Sequence, residues 1–274
     1  MSFPTLMVCM RVGRPNDGLL GVARDVAERF GSTVIGIAAK QVSTQAHIRG
    51  AGPCESHQHV LRKFAEHAAV AEDEFRKALA SVAKLEWRTQ MTLGPTYEHI
   101  AKEARSADLV IATIDGHDSF FSPSGQAEIG DLLKALGRPV LAAPADATGL
   151  GFDQALVSWK ETRQTRRAVA EALPLLKATK RVDVVEIVEA SALEDSRRRL
   201  GDVGDWLARH GVEANSSVEI SRGSECARLT AIAEDLRTDL VVAGAFCHGR
   251  LHEWAFGDTR DLLSRMRRCV LASR

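Results

Sequence analysis

The sequence predicts an α/β fold: two tandem five-stranded parallel sheets, each with helices on both faces. Three observations predict it, namely a repeated phrase, strict alternation of strand-like and helix-like segments, and near-continuous apolar strands. Ala107-Asp108-Leu109-Val110-Ile111-Ala112-Thr113 returns as Thr238-Asp239-Leu240-Val241-Val242-Ala243-Gly244. Each copy closes a helix-like stretch and opens a strand. A long loop, a short helix and a second apolar strand follow, Pro139 to Ala143 in the first copy and Cys269 to Ser273 in the second. Copies this far apart indicate a duplicated domain, since solenoid units recur at about 20 to 50 residues. The 274 residues hold two domains of ordinary size, about 100 to 150 residues each.

The elements follow in order. Leu6 to Arg11 is an apolar run of strand length, and Pro15-Asn16-Asp17-Gly18 supplies turn and cap chemistry. Leu19, Val22, Val26 and Phe30 then recur at three- and four-residue spacing, one buried stripe of a helix that Gly31 stops. Thr33 to Ala38 reads as a strand, 40–56 as a loop, and the segment through Leu61, Phe64, Ala68, Phe75 and Leu79 as a long helix. Glu86 to Thr92 alternates like a strand, and Pro95 opens a short helix. Asp108 to Thr113, a helix near Ile129 to Leu136, and Val140 to Ala143 complete the first unit, 1–145. Pro144 to Gly151 is small and turn-prone, as a boundary should be.

The order then repeats over 152–274. It runs strand Ala155 to Trp159, helix Thr162 to Leu176, strand Val182 to Val188, helix Leu193 to His210 and strand Glu213 to Ile220. Helix Cys226 to Leu236, strand Leu240 to Ala243, a loop, a short helix and strand Val270 to Ala272 close the chain. Alternation with apolar strands is the pattern of a parallel sheet covered on both faces. Ligands of such sheets sit beyond the carboxyl ends of the strands, where strand order reverses. The loops after the first and fourth strands of each unit are therefore the ones to inspect.

Composition excludes several classes of function. Lysine plus arginine and aspartate plus glutamate are both 36, so no net field holds DNA or an anionic membrane. Apolar runs are strand-sized, well short of the roughly 18 residues that cross a bilayer, and the N-terminus carries no export signal. Cys9, Cys54, Cys226, Cys247 and Cys269 are scattered and form no Cys-x-x-Cys pair, which suits a reducing, cytoplasmic setting. Gly13, Gly18 and Gly21 do not have dinucleotide-fingerprint spacing, and the Lys-Ser/Thr of a P-loop is absent.

The second unit resembles the universal stress protein family over its whole length. The resemblance rests on Gly244 and Gly257 at the family's spacing with Leu251 between them. It rests also on the phrases Val157 to Arg163, Arg166 to Val169, Leu207 to Val212 and Gly244 to Leu251. The first unit matches by order of elements and by its last two strands. The resemblance implies tandem Rossmann-like domains of the adenine nucleotide alpha hydrolase-like type and a cytoplasmic stress-response role without turnover. It also implies pseudo-twofold pairing of the units through their last strands and room for a homodimer. ATP or AMP is the cofactor it allows, in the second unit. Carried onto this chain, the ligand site falls on Ser158, Trp159, Lys160, Ile187, Gly244, Cys247, Gly249, Arg250, Gly257, Asp258 and Thr259.

The departures from the family pattern matter as much. Lys160 takes the position of the adenine-side aspartate, Cys247 that of an inner glycine, and Asp258 that of a hydroxyl beside the phosphates. In the first unit Arg11 and Thr113 replace the aspartate and the strand-ending glycine. A phosphate cradle needs amides clear of side chains, and a carboxylate at contact distance from a triphosphate costs about 1 to 4 kcal/mol. The sites are therefore expected to be degenerate, with slow ATP hydrolysis or self-phosphorylation in the second unit as the alternative.

Several marked residues carry two readings. Lys160, Arg163, Arg166 and Arg167 form either an anion site at a helix N-terminus or a solvated face, with Lys160 paired to Asp258 or Glu161. His47, Cys54, His57 and His59 read as a polar loop rather than a metal site, because structural zinc sites use tighter paired spacings. Cys247 beside His248 offers a redox-sensitive thiol or an ordinary loop residue. Trp159, Trp206, Trp254 and Phe256 read as packing residues.

Overall fold

The computed structural model describes residues 2–42, 53–114, 129–221, 223–245 and 267–274, with backbone alone at 53–57. The first half runs β1 (Thr5–Cys9), α1 (Asp17–Phe30), β2 (Thr33–Gln41), α2 (Pro53–Ala78) and β3 (Leu85–Thr92). It continues with α3 (Thr96–Glu103), β4 (Leu109–Ile114), α4 (Ile129–Ala135) and β5 (Val140–Pro144). The second half runs β6 (Gln154–Trp159), α5 (Arg163–Ala178), β7 (Arg181–Val188), α6 (Leu193–Arg209) and β8 (Ala214–Ile220). It closes with α7 (Glu225–Asp235), β9 (Leu240–Gly244) and β10 (Cys269–Ser273). The α/β class is that of the structure, and so is the strand-helix order among the described residues. The short helix expected before β10 lies outside them, and the loop expected over 40–56 is shorter, since β2 runs to Gln41 and α2 starts at Pro53. Gly31 ends α1 in the left-handed region, at φ 64°.

All ten strands lie in one sheet of order β3-β2-β1-β4-β5-β10-β9-β6-β7-β8. Within each half every described pairing is parallel, and the halves meet where β5 and β10 pair antiparallel. There Leu141 faces Leu271, Val140 faces Ala272 and Ala142 faces Val270. Val140 pairs with Val110 in the first half, as Val270 pairs with Val241 in the second. Equivalent residues thus exchange places across the seam, and the local twofold passes through Leu141 and Leu271.

Burial follows the faces of this sheet rather than the halves. One apolar cluster joins α1 and α2 to α5 and α6 through residues such as Leu19, Phe75, Leu173 and Leu207. The other lies on the opposite face and joins α3 and α4 to α7 through Ile100, Leu132 and Leu229. The strands at the centre, β5, β9 and β10, are buried throughout, whereas the edge strands β3 and β8 have no fully buried residue. An edge strand has one neighbour and less cover, so it carries more polar residues than the centre.

The aspartate of the repeated phrase has a definite task. Asp108 donates its backbone N–H to the Thr5 carbonyl and accepts from the Thr5 amide through its side chain, at 2.9 Å. Asp239 makes the same reciprocal pair with Gln154, and its carboxylate also accepts from the Asp153 amide. Each copy therefore fixes the start of the strand beside it, β1 or β6. That fixes the register of the two central strands whose carboxyl ends frame the crevice.

Candidate functional site

Strand order reverses between β6 and β9, so the crevice of the second half opens at their carboxyl ends. Ser158 is half-buried near the end of β6, and Lys160 follows the strand directly. Thr162 caps α5, its hydroxyl accepting from the Thr165 amide at 3.2 Å. On the far side Ser224 caps α7 by accepting from the Ala227 amide at 3.3 Å, which sets Glu225 in that helix's first turn. Ile187 of β7 packs with Cys226 against the apolar cluster of this face.

Lys160 Nζ forms an ion pair with Glu225. Glu161, the alternative partner read from the sequence, is instead bound by Arg166, so the Lys160–Glu161 pairing is corrected to Lys160–Glu225. The reason is local: Glu225 sits at the positive end of α7 and within reach of the lysine. Such a half-exposed pair contributes about 0 to 1 kcal/mol, so its effect is on position and charge rather than on stability.

Arg166 and Arg167 also have partners. Arg167 binds Glu171 at 2.9 Å and donates to the Gly137 carbonyl at 3.0 Å, linking α5 to the first half. Arg163 is exposed at the start of α5. Lys160, Arg166 and Arg167 thus point to three separate carboxylates instead of one bound anion.

Gly244 ends β9 with no room for a side chain. A Cβ there would lie 2.6 Å from the Thr165 amide nitrogen and 2.7 Å from its hydroxyl. The close approach of α5 therefore requires glycine at this position whether or not a phosphate is bound. Cys247, Gly249, Arg250, Gly257, Asp258 and Thr259 lie outside the described residues, as do His248, Leu251, Trp254 and Phe256. His47 and the side chains of Cys54 and His57 lie outside them too, while His59 is exposed on α2. Among the described residues no three His, Cys, Asp or Glu side chains are placed to share a metal ion, and no helix is long and apolar enough to cross a membrane.

The equivalent loop of the first half folds on itself. Asn16, 1% exposed, accepts from the Arg11 amide and donates to the carbonyls of Arg11 and Arg14 and to Glu74 of α2. Arg11 donates to the Pro15 carbonyl. Thr113, at the position of Gly244, has a buried hydroxyl without a hydrogen-bond partner among the described residues.

Trp159 is expected from the resemblance among the ligand residues at the end of β6. Its side chain, 6% exposed, belongs to the apolar cluster on the α5–α6 face. It lines a cavity of about 340 Å³ between those helices with Val169, Arg199, Asp202, Val203 and Trp206. The adjoining Glu186 is a buried carboxylate held by Arg199 at 3.1 and 3.2 Å and by the Ser196 hydroxyl. The heptad-like spacing of α6 gives Val203 and Trp206 but not a void, since a void depends on how two helices diverge.

No family model matches the chain and no curated protein does. Solved structures do. A universal stress protein from Archaeoglobus fulgidus DSM 4304 superposes with a TM-score of 0.75 at 14% identity, covering 98% of this chain and 96% of that one. This chain has the tandem universal stress protein fold. A functionally unknown protein from Pseudomonas aeruginosa PAO1 shares it, with a TM-score of 0.65, 14% identity and coverage of 99% and 92%. So does a protein of Pseudomonas aeruginosa UCBPP-PA14 assigned to the universal stress proteins, at 0.62, 14%, 99% and 93%. The universal stress protein fold is thus spanned end to end, both halves included.

Proposed function

We propose that this protein is a cytoplasmic, non-catalytic stress-response sensor or adaptor, a dimer built into one chain, whose strand-end nucleotide sites are degenerate. The observation that carries the reading is the ion pair of Lys160 with Glu225 at the carboxyl end of β6. The resemblance calls for an acidic group there to hold a nucleoside. Lysine cannot accept the hydroxyl hydrogens of a ribose, and its charge is already answered by a carboxylate that would oppose a triphosphate. Arg11 and Asn16 close the corresponding loop of the first half.

The test is thermal unfolding of the full chain with Mg-ATP, AMP or inorganic phosphate. A ligand that binds only the folded state raises the midpoint in proportion to RT ln(1 + [L]/Kd). The proposal expects no shift with any of the three. A rise with ATP that Gly257→Val removes would overturn it in favour of an ATP-binding protein with slow hydrolysis or self-phosphorylation in the second half.

A further inference from the structure

We infer that the open edge of β8 is a self-association surface, where a second copy of this chain adds its own β8 antiparallel about Ser217. Because β5 and β10 pair within the chain, β3 and β8 are the two edges of the ten-stranded sheet. β3 carries Glu86 and Arg88 in mid-strand, charges of the kind that guard an edge against pairing. β8 reads Ala-Asn-Ser-Ser-Val-Glu-Ile, with no charge before Glu219 and no proline, and its register with β7 is unbroken by a bulge. Its last residue, Ile220, is 39% exposed. The contact lies away from the strand-end crevice and does not depend on whether a nucleotide binds there.

The backbone sets the register. Ser221 donates its N–H to the Val188 carbonyl of β7, so Asn215, Ser217 and Glu219, at the same alternation, also turn their backbone groups to β7. Ala214, Ser216, Val218 and Ile220 turn theirs outward, where they meet no backbone partner among the described residues. Two antiparallel copies match all four of these residues only when centred on Ser217. Ala214 then meets Ile220 and Ser216 meets Val218 as hydrogen-bonded pairs, and Ile220 is covered. A slip of two residues leaves an outward residue of each strand unmatched and, in one direction, sets Glu213 against Glu219. In the centred register Asn215 meets Glu219, an amide donor opposite a carboxylate, and Ser217 meets itself, so no like charges face each other. Each strand thus complements a copy of itself, as an isologous twofold contact requires.

Sedimentation velocity of the full chain reads the association. A concentration-dependent dimer is expected, populated by about 100 μM. Ser217→Lys sets two ammonium groups opposite each other on the twofold and should weaken that dimer at least about tenfold. Ser217 is exposed, so the melting temperature of the dilute chain should not change. Ser217→Cys reads the register, because residues opposed at this position have Cα atoms about 4.5 Å apart, within the range a disulfide spans. Mild oxidation should therefore join two Ser217→Cys chains. Asn215→Cys, whose Cα atoms would lie about 14 Å apart, should not cross-link above the background of the native cysteines, measured on the unmodified chain. The inference is overturned if the chain is monomeric at about 100 μM or if Ser217→Lys leaves the dimer intact. It is equally overturned if Ser217→Cys fails to cross-link, or does so no better than Asn215→Cys.

Discussion

Replacing Asp239 by alanine should destabilise the protein far more than an ordinary surface substitution. The carboxylate accepts from the Asp153 amide at 2.9 Å and the Gln154 amide at 3.0 Å. A hydrogen bond to a charged group contributes about 1.5 to 3 kcal/mol net. The Asp153 bond is exposed and water can replace it, but Gln154 is buried, so its amide would lose its acceptor. The expected cost is about 2 to 4 kcal/mol, or a fall in melting temperature of about 5 to 15 °C for a chain of this size. Asp108→Ala removes the single bond to the Thr5 amide and should cost less, about 1.5 to 3 kcal/mol. Asparagine at either site keeps an acceptor and should fall between. Urea unfolding combined with hydrogen exchange at the Gln154 amide measures both effects. A loss under about 0.5 kcal/mol in Asp239→Ala, the level of a neutral surface change, with unchanged protection of Gln154, would refute the register-pin account of the repeated phrase.

Three further outcomes follow from the same structure. Gly244→Ala should cost about 1 to 3 kcal/mol in urea unfolding, because its Cβ would sit 2.6 Å from the Thr165 amide nitrogen. Arg199→Met should cost about 3 to 5 kcal/mol by leaving Glu186 buried without its counter-charge, with Glu186→Gln in the same background restoring part of the loss. Burial pushes the Cys269 thiol up from 9.0 to about 12, with the carboxylates of Asp239 and Asp25 adding to the effect. The folded state therefore keeps this proton between pH 9 and 12 while the unfolded chain releases it, so this stabilisation is full below pH 9 and is lost as pH rises toward 12. Cys269→Ala should flatten that part of a stability-versus-pH curve, and native Cys269 should resist thiol reagents at pH 8 until the protein unfolds.

The fold was legible because the features that determine it are local. Apolar runs such as Leu240 to Ala243, the helical stripe of Leu19, Val22 and Val26, and the stop at Gly31 each carry their own signal. The repeated phrase marked equivalent places in two halves, and its aspartates make equivalent bonds. Face-by-face division of the core was not legible, since it arises only when β5 and β10 join the sheets. Partner choice was also hidden: Lys160 meets Glu225 because two loops converge, and nothing near Lys160 in the sequence announces it. Trp159 and Trp206 read as packing residues, and both sit with the apolar cluster on the α5–α6 face. Gly244 read as part of a phosphate loop has a second sufficient cause in the approach of Thr165.

The central claim is that the strand-end crevice of the second half, with Lys160 held by Glu225, does not serve as a nucleotide site. Isothermal titration of Mg-ATP into the full chain tests it most directly. The account predicts no saturable binding up to about 1 mM, a free energy weaker than about −4 kcal/mol. Saturable one-site binding with a Kd near or below about 10 μM, lost in Gly257→Val, would contradict it.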